Sequence, residues 1–188
     1  MKRPEVLSAS QVCDSTLSPA GAAALEHIGG KDGYTELEDP GRWSLKAAAK
    51  RLQESAASGY DCNLYREGDT SGRPLMTIGF TARESHPDPA ESAKDKDYDQ
   101  LFYPLGVYAS ATGDLATSLF FACPTGRAEG SAPYVKAEMY SAKNMMNAGS
   151  TSKDRMTILN DVSRALAEKL GCAAQAKLPA EVPDALPE

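Results

Sequence analysis

The sequence has no run approaching the roughly 18 apolar residues of a membrane-spanning helix, no C-x-x-C pair, and only two histidines among its 188 residues. The first absence argues against direct membrane insertion by this chain. The other two argue against zinc, whose ligands usually arrive in close pairs. Basic residues are also short, 20 Lys and Arg against 26 Asp and Glu, for a formal charge of −6. Nucleic-acid binders normally carry a basic face, and no Lys/Arg cluster stands ready for anionic lipid. Nothing apolar follows Met1-Lys2-Arg3-Pro4, so no signal peptide is visible. Ser10-Gln11-Val12 before Cys13 does not read as a lipoprotein cleavage site. An export signal or membrane anchor upstream of Met1 is the expectation.

What is present is globular: 41% apolar and 24% charged residues, in a length that suits one core. Cys13, Cys62, Cys123 and Cys172 lie far apart, and four dispersed cysteines allow three pairings. Cys13 and Cys62 flank the N-terminal helical region, while Cys123 and Cys172 flank the C-terminal strand and helix. That favours 13–62 with 123–172, each closing a loop of about 50 residues worth about 4 kcal/mol of chain entropy. The alternative is four buried free thiols in a cytosolic protein.

Along the chain, Ser18-Pro19 opens a helix that Gly29-Gly30 stops. A turn-rich stretch, 31–41, follows. Leu45, Ala48, Ala49, Leu52 and Ala56 then repeat at helical spacing, up to Gly59. From Tyr60 to Arg66 the period becomes two, and after a glycine turn it returns from Leu75 to Ala82: a hairpin. Residues 84–99 are charged and proline-bearing and read as a long exposed loop. A second hairpin spans Pro104 to Ala111 and Leu115 to Cys123; its Leu119-Phe120-Phe121-Ala122-Cys123 run marks a central strand. Tyr134 to Tyr140 alternates again. Thr151 and Asp154 cap a final helix with Leu159, Val162, Leu166 and Leu170 as its stripe and Gly171 as its stop. The fold class expected is α+β: a mainly antiparallel sheet of about five strands with three helices packed on it and two disulfides. Residues 1–176 form one extracytoplasmic domain, and 177–188 a proline-rich extended tail.

Chemistry is hard to find. No G-x-S-x-G is present, and Ser150-Thr151-Ser152-Lys153 matches S-x-x-K without its companion motifs, at a place where a helix needs its cap. His27 sits near a helix C-terminus, where the dipole alone favours it, and His86 falls in the charged loop. Gly29-Gly30-Lys31-Asp32-Gly33 follows a helix, so it reads as a C-cap and not a phosphate loop. Asp95, Asp97 and Asp99 alternate as calcium ligands can, but Gln100 and Gly106 stand where an EF-hand needs Gly and Glu, leaving a weak candidate only. No cofactor and no catalytic residue is expected. Trp43, Tyr98, Phe102, Tyr103 and Tyr108 border the two long loops and are the candidates for an interaction surface, the alternative being that each anchors its loop on the core.

Five pieces carry a resemblance: Val12-Cys13-Asp14 running into Leu17-Ser18-Pro19-Ala20; Cys62-Asn63-Leu64-Tyr65; Pro104-Leu105-Gly106-Val107; Leu119-Phe120-Phe121-Ala122-Cys123; and Ala165-Leu166-Ala167-Glu168-Lys169-Leu170-Gly171-Cys172 with Leu178-Pro179. With its four cysteines so placed, the chain resembles actinobacterial (Streptomyces-type) secreted or membrane-anchored proteins of unknown function. The resemblance implies an exported domain, secreted or anchored at the cell surface, and brings no activity with it. The function expected is an extracytoplasmic binding or protein-interaction domain of an exported or membrane-anchored, lipoprotein-like envelope protein. Its partner would be an unknown protein or envelope ligand, with no nucleic acid. The alternative is an envelope-acting hydrolase whose Asp and Glu residues meet only in the fold.

Overall fold

The computed structural model describes residues 3–37, 41–55, 60–95, 99–125, 132–142 and 144–187. Alternating apolar residues build the strands: Met76, Ile78, Phe80 and Ala82 on one, and Val135, Ala137 and Met139 on another, all point the same way and are buried. In chain order the elements are α1 (Val12–Ser15), α2 (Pro19–Gly29), β1 (Tyr34–Glu36), α3 (Leu45–Glu54), β2 (Cys62–Arg66), β3 (Met76–Arg83), α4 (Pro89–Ser92), β4 (Gln100–Phe102), β5 (Tyr108–Thr112), β6 (Ala116–Thr125), β7 (Ala132–Ser141), α5 (Ser152–Leu170) and α6 (Ala173–Ala176).

The expectation of about five strands and three helices is therefore corrected. Among the described residues there are seven strands, in one sheet ordered β1-β2-β3-β7-β6-β5-β4, and six helices. The two strands missed, β1 and β4, are three-residue elements at the two edges, too short for an alternating pattern to declare itself. β1 lies inside the stretch that reads as turns, and exists because Tyr34, Thr35 and Glu36 pair with Arg66, Tyr65 and Leu64. The three extra helices, α1, α4 and α6, are single turns of four residues.

Every pairing in the sheet is antiparallel. β7 returns to the middle and joins the meander β1–β2–β3 to the meander β4–β5–β6. α5 lies on β6 and β7, with α2 and α3 packed against it. Its Met156, Ile158, Leu159, Val162 and Leu166 meet Leu119, Phe121, Val135, Ala137 and Met139 in the core. Thr151 and Asp154 form its capping box, and Gly171 ends it in a left-handed conformation (φ 78°) that glycine adopts without steric cost. Asp161, buried on α5, accepts from the Ser18 N–H at 2.9 Å and its hydroxyl at 2.6 Å, so one helix fixes the start of another.

Disulfides join Cys13 to Cys62 and Cys123 to Cys172, the pairing the element placement favours. The first ties the N-terminal arm to the start of β2. The second ties β6 to the residue after the stop of α5. Beyond α6 the tail runs without helix or strand: Asn160 Nδ2 donates to Pro179 O at 2.8 Å, Val182 is buried, and Leu186 N donates to Phe102 O at 2.7 Å. Among the described residues no helix is long and apolar enough to cross a membrane.

Candidate functional site

Of the five aromatic residues expected at an interaction surface, the four described ones fall in two places. Trp43 is buried and stacks on Tyr60, ring centroids 6.3 Å apart. Tyr103 is in the core cluster, with its hydroxyl 2.8 Å from Ser152 Oγ at the head of α5. Phe102 and Tyr108 do meet, edge to face at 6.0 Å, and Tyr108 meets Phe120 at 5.6 Å. Tyr98 lies outside the described residues, as does Asp97; Asp95 and Asp99 are exposed. Among the described residues the one trio with metal-ligand spacing is Cys13, Glu36 and Cys62, and both of its sulfurs are bonded to each other.

The two histidines and the S-x-x-K match are similarly occupied. His27 Nδ1 lies 2.7 Å from Asp154 Oδ2, bridging the end of α2 to the cap of α5. His86 packs edge-on against Tyr134 at 4.8 Å. Thr151 serves as the cap of α5, and Lys153 Nζ pairs with Asp184 Oδ1 at 2.5 Å.

Among the described residues α2, α3 and α5 lie on one face of the sheet, and along β2, β3 and β7 the other face is open. Side chains alternate along each strand, so residues between the buried ones share the open face: Asn63 on β2, Thr77, Gly79 and Thr81 on β3, and Tyr134, Lys136, Glu138 and Tyr140 on β7. A cavity of about 110 Å³ lies here, lined by Asp61, Thr77, Gly79, Phe80, Thr81, Glu138 and Tyr140. Its floor is Gly79, where a Cβ would overlap the Asp61 carboxylate. Glu138 is Gly79's partner across the β3–β7 ladder, so the two carboxyls flank the same backbone gap.

Partners set the poise of this pair. Lys136 Nζ pairs with Glu138 Oε1, and the Tyr140 hydroxyl donates to the same oxygen at 3.2 Å. Among the described residues Asp61 has no such cation. Burial pushes its carboxyl above the ordinary range, and the charge of Glu138 pushes it the same way. Asn63 Nδ2 donates to Asp61 O at 3.2 Å, and Asn63 Oδ1 accepts from the Thr77 hydroxyl at 2.8 Å, bracing that corner. Tyr140 stands 55% exposed at the rim, the sort of aromatic face that stacks on a ligand. Hydroxyls, carboxylates and one open ring suit hydrogen bonding to a polar ligand. No nucleophile with an oriented base lines this cavity.

Farther along the same face, Tyr108 and Phe120 are buried yet stand apart from the main core cluster. With Phe102 they form a small satellite, and Lys136 Nζ sits 5.7 Å from the Phe120 ring. β3 and β4 run in the same direction with three strands between them, so β3 finishes and β4 starts at opposite ends of the sheet. The His86–Tyr134 contact places its start on the open face, and its one-turn α4 is solvent-exposed or nearly so. A wider cavity of about 380 Å³ at the β1–β2 edge mixes Arg3 and Arg66 with Glu67 and Asp69. Arg66 there is committed to Gly29 O, Ile28 O and Asn147.

Asp61, Glu138 and Tyr140 escape a reading of the sequence because no local spacing links them. Gly79 does carry a signal: an isolated glycine in an alternating strand marks a bulge or the close approach of another group. No family model, curated protein or solved structure matches this chain.

Proposed function

We propose that the chain is an extracytoplasmic binding domain of an exported or anchored envelope protein, and that it holds its ligand on the open face of the sheet around Asp61, Gly79 and Glu138. The observation that carries this is the sheet face opposite α2, α3 and α5, with its cavity of hydroxyls, two carboxylates and an exposed tyrosine. Its chemistry suits a hydroxyl- and amide-bearing envelope polymer: acceptors for ligand donors, hydroxyls for ligand acceptors, and a ring for stacking. Two disulfides suit persistence in an oxidising compartment. The kinship with secreted or anchored, lipoprotein-like actinobacterial proteins belongs to this proposal and rests on the sequence pieces alone.

The test is co-sedimentation with insoluble peptidoglycan. Wild-type protein is expected in the pellet, and Asp61→Asn with Tyr140→Ala in the supernatant at equal concentration. Equal pelleting of the two proteins, or none of either, would overturn the reading.

One observation favours a second reading, a hydrolase: two carboxyls flank Gly79, and burial with the Glu138 charge raises the Asp61 carboxyl, the direction a general acid requires. Release of soluble sugar from the same peptidoglycan, abolished by either Asp61→Asn or Glu138→Gln alone, would select the enzyme over the binder.

A further inference from the structure

Cys13, Asp14 and Ser15 are three consecutive non-glycine residues in the left-handed region, with φ of 46°, 60° and 56°. L-residues resist that conformation, and runs of it persist only where the surroundings hold them. Here the holds are specific. Cys13 N donates to Glu36 Oε1 at 2.5 Å, the Thr16 hydroxyl donates to Cys13 O at 2.8 Å, and Leu45 N donates to Asp14 Oδ2 at 2.9 Å. The disulfide to Cys62 closes the turn.

Glu36 is the unusual member. Its side chain is 1% exposed, and an oxygen of its carboxyl lies within 4.8 Å of both sulfurs. Among the described residues Oε2 accepts no hydrogen bond, with Arg42 Nε 3.6 Å away and itself without one. The other Arg42 nitrogens turn to Glu5 and to Gln11 O. Burial raises the Glu36 carboxyl; the Cys13 N–H and Arg42 lower it, and Asp14 adds to the rise. Cys123 and Cys172 differ on both counts. Neither has a positive φ, and among the described residues no acidic or histidine group stands beside both of their sulfurs.

We propose that Cys13–Cys62 is a thiol–disulfide exchange site for a dithiol reductant, with the Glu36 carboxyl supplying the proton to the departing sulfur. A thiolate of the dithiol attacks Cys62 Sγ, and the S–S electron pair passes to Cys13 Sγ, which takes the proton of Glu36. The reductant's second thiol, losing its proton, attacks the mixed disulfide and releases Cys62 as a thiolate, which protonates. The dithiol becomes a disulfide, the protein gains two thiols, and Glu36 regains the proton that the reductant shed. Both sulfurs are buried, so the step follows local opening of the N-terminal arm, held to β1 by the Leu7–Tyr34 bridge. Release of the left-handed turn favours the reduced form. The consequence reaches the open face, because Asp61 adjoins Cys62 and lies over Gly79.

The two disulfides of one molecule provide the control. Folded protein is equilibrated with graded dithiothreitol, alkylated and mapped by peptide mass. Cys13 and Cys62 are expected to label at concentrations about tenfold below those for Cys123 and Cys172. In a timed reaction at one dithiothreitol concentration, Glu36→Gln should slow labelling of the first pair about tenfold at neutral pH and flatten its pH profile, leaving the second pair unchanged. Ser15→Gly, which removes the left-handed cost while keeping the fold, should move the first pair toward higher reductant. Simultaneous labelling of the pairs, or earlier labelling of Cys123 and Cys172, would overturn the proposal. A Glu36→Gln protein that exchanges like wild type would remove Glu36 from it.

Discussion

On β7, Val135, Ala137 and Met139 point toward the helices and are fully buried, while Tyr134, Lys136, Glu138 and Tyr140 between them face the other way and keep contact with solvent. The same alternation divides β3 into Met76, Ile78 and Phe80 against Thr77, Gly79 and Thr81. One face therefore carries most of the apolar burial that stabilises the fold, and along β3 and β7 the other is released from that task. Apolar area removed from water contributes about 25 cal/mol per Å², so the covered face tolerates little change. A polar open face can vary its side chains at small cost in stability, which is what a binding surface needs.

The sharpest contrast is on β6. Phe121, fully buried against α5, should cost about 3–5 kcal/mol when changed to alanine, measured by denaturant unfolding. Its neighbour Phe120 faces the opposite way in the Tyr108 satellite, and Phe120→Ala should cost about 2 kcal/mol. Tyr140→Ala, at the exposed rim, should stay within about 0.5 kcal/mol of wild type. A loss at Tyr140 equal to that at Phe121 would break the division between faces.

Gly79 tests the open face more finely. Alanine there would push the Asp61 carboxylate off its seat, at a cost of about 1–3 kcal/mol. Back in water, Asp61 should titrate nearer the ordinary range, a change readable by carboxyl NMR titration. An unmoved titration would mean that the cavity does not seat Asp61.

The smallest effect is a dependence on pH. The folded state holds the Asp61 carboxyl above its unfolded value of about 3.8, so it binds the proton more tightly than the unfolded chain does. Its stabilising contribution is full below that value and is lost as pH rises through the raised one. Asp61→Asn should match wild type in acid and gain on it as the pH is brought to neutral. A gap that instead widens toward acid would reverse the assignment.

How much of this the sequence disclosed follows from the range of the interactions. Alternation over eight residues makes β3 legible, and a capping pair with a four-leucine-or-valine stripe does the same for α5. The edge strands β1 and β4 are three residues long and depend on their neighbours, so nothing local marks them. The return of β7 to pair with β3 is a long-range choice, made by two apolar strands that each need a partner on both sides. The site suffers the same loss. Asp61 and Glu138 become neighbours only through that pairing, and of the aromatic residues singled out from the loops Trp43 and Tyr103 fall in the core and Phe102 and Tyr108 in the satellite.

The most direct measurement is amide chemical-shift mapping of the protein titrated with soluble peptidoglycan fragments. The account predicts shifts at Asp61, Asn63, Thr77, Gly79, Thr81, Glu138 and Tyr140, with α2 and α5 silent. Shifts centred on the helices, or none at saturating fragment, would contradict it.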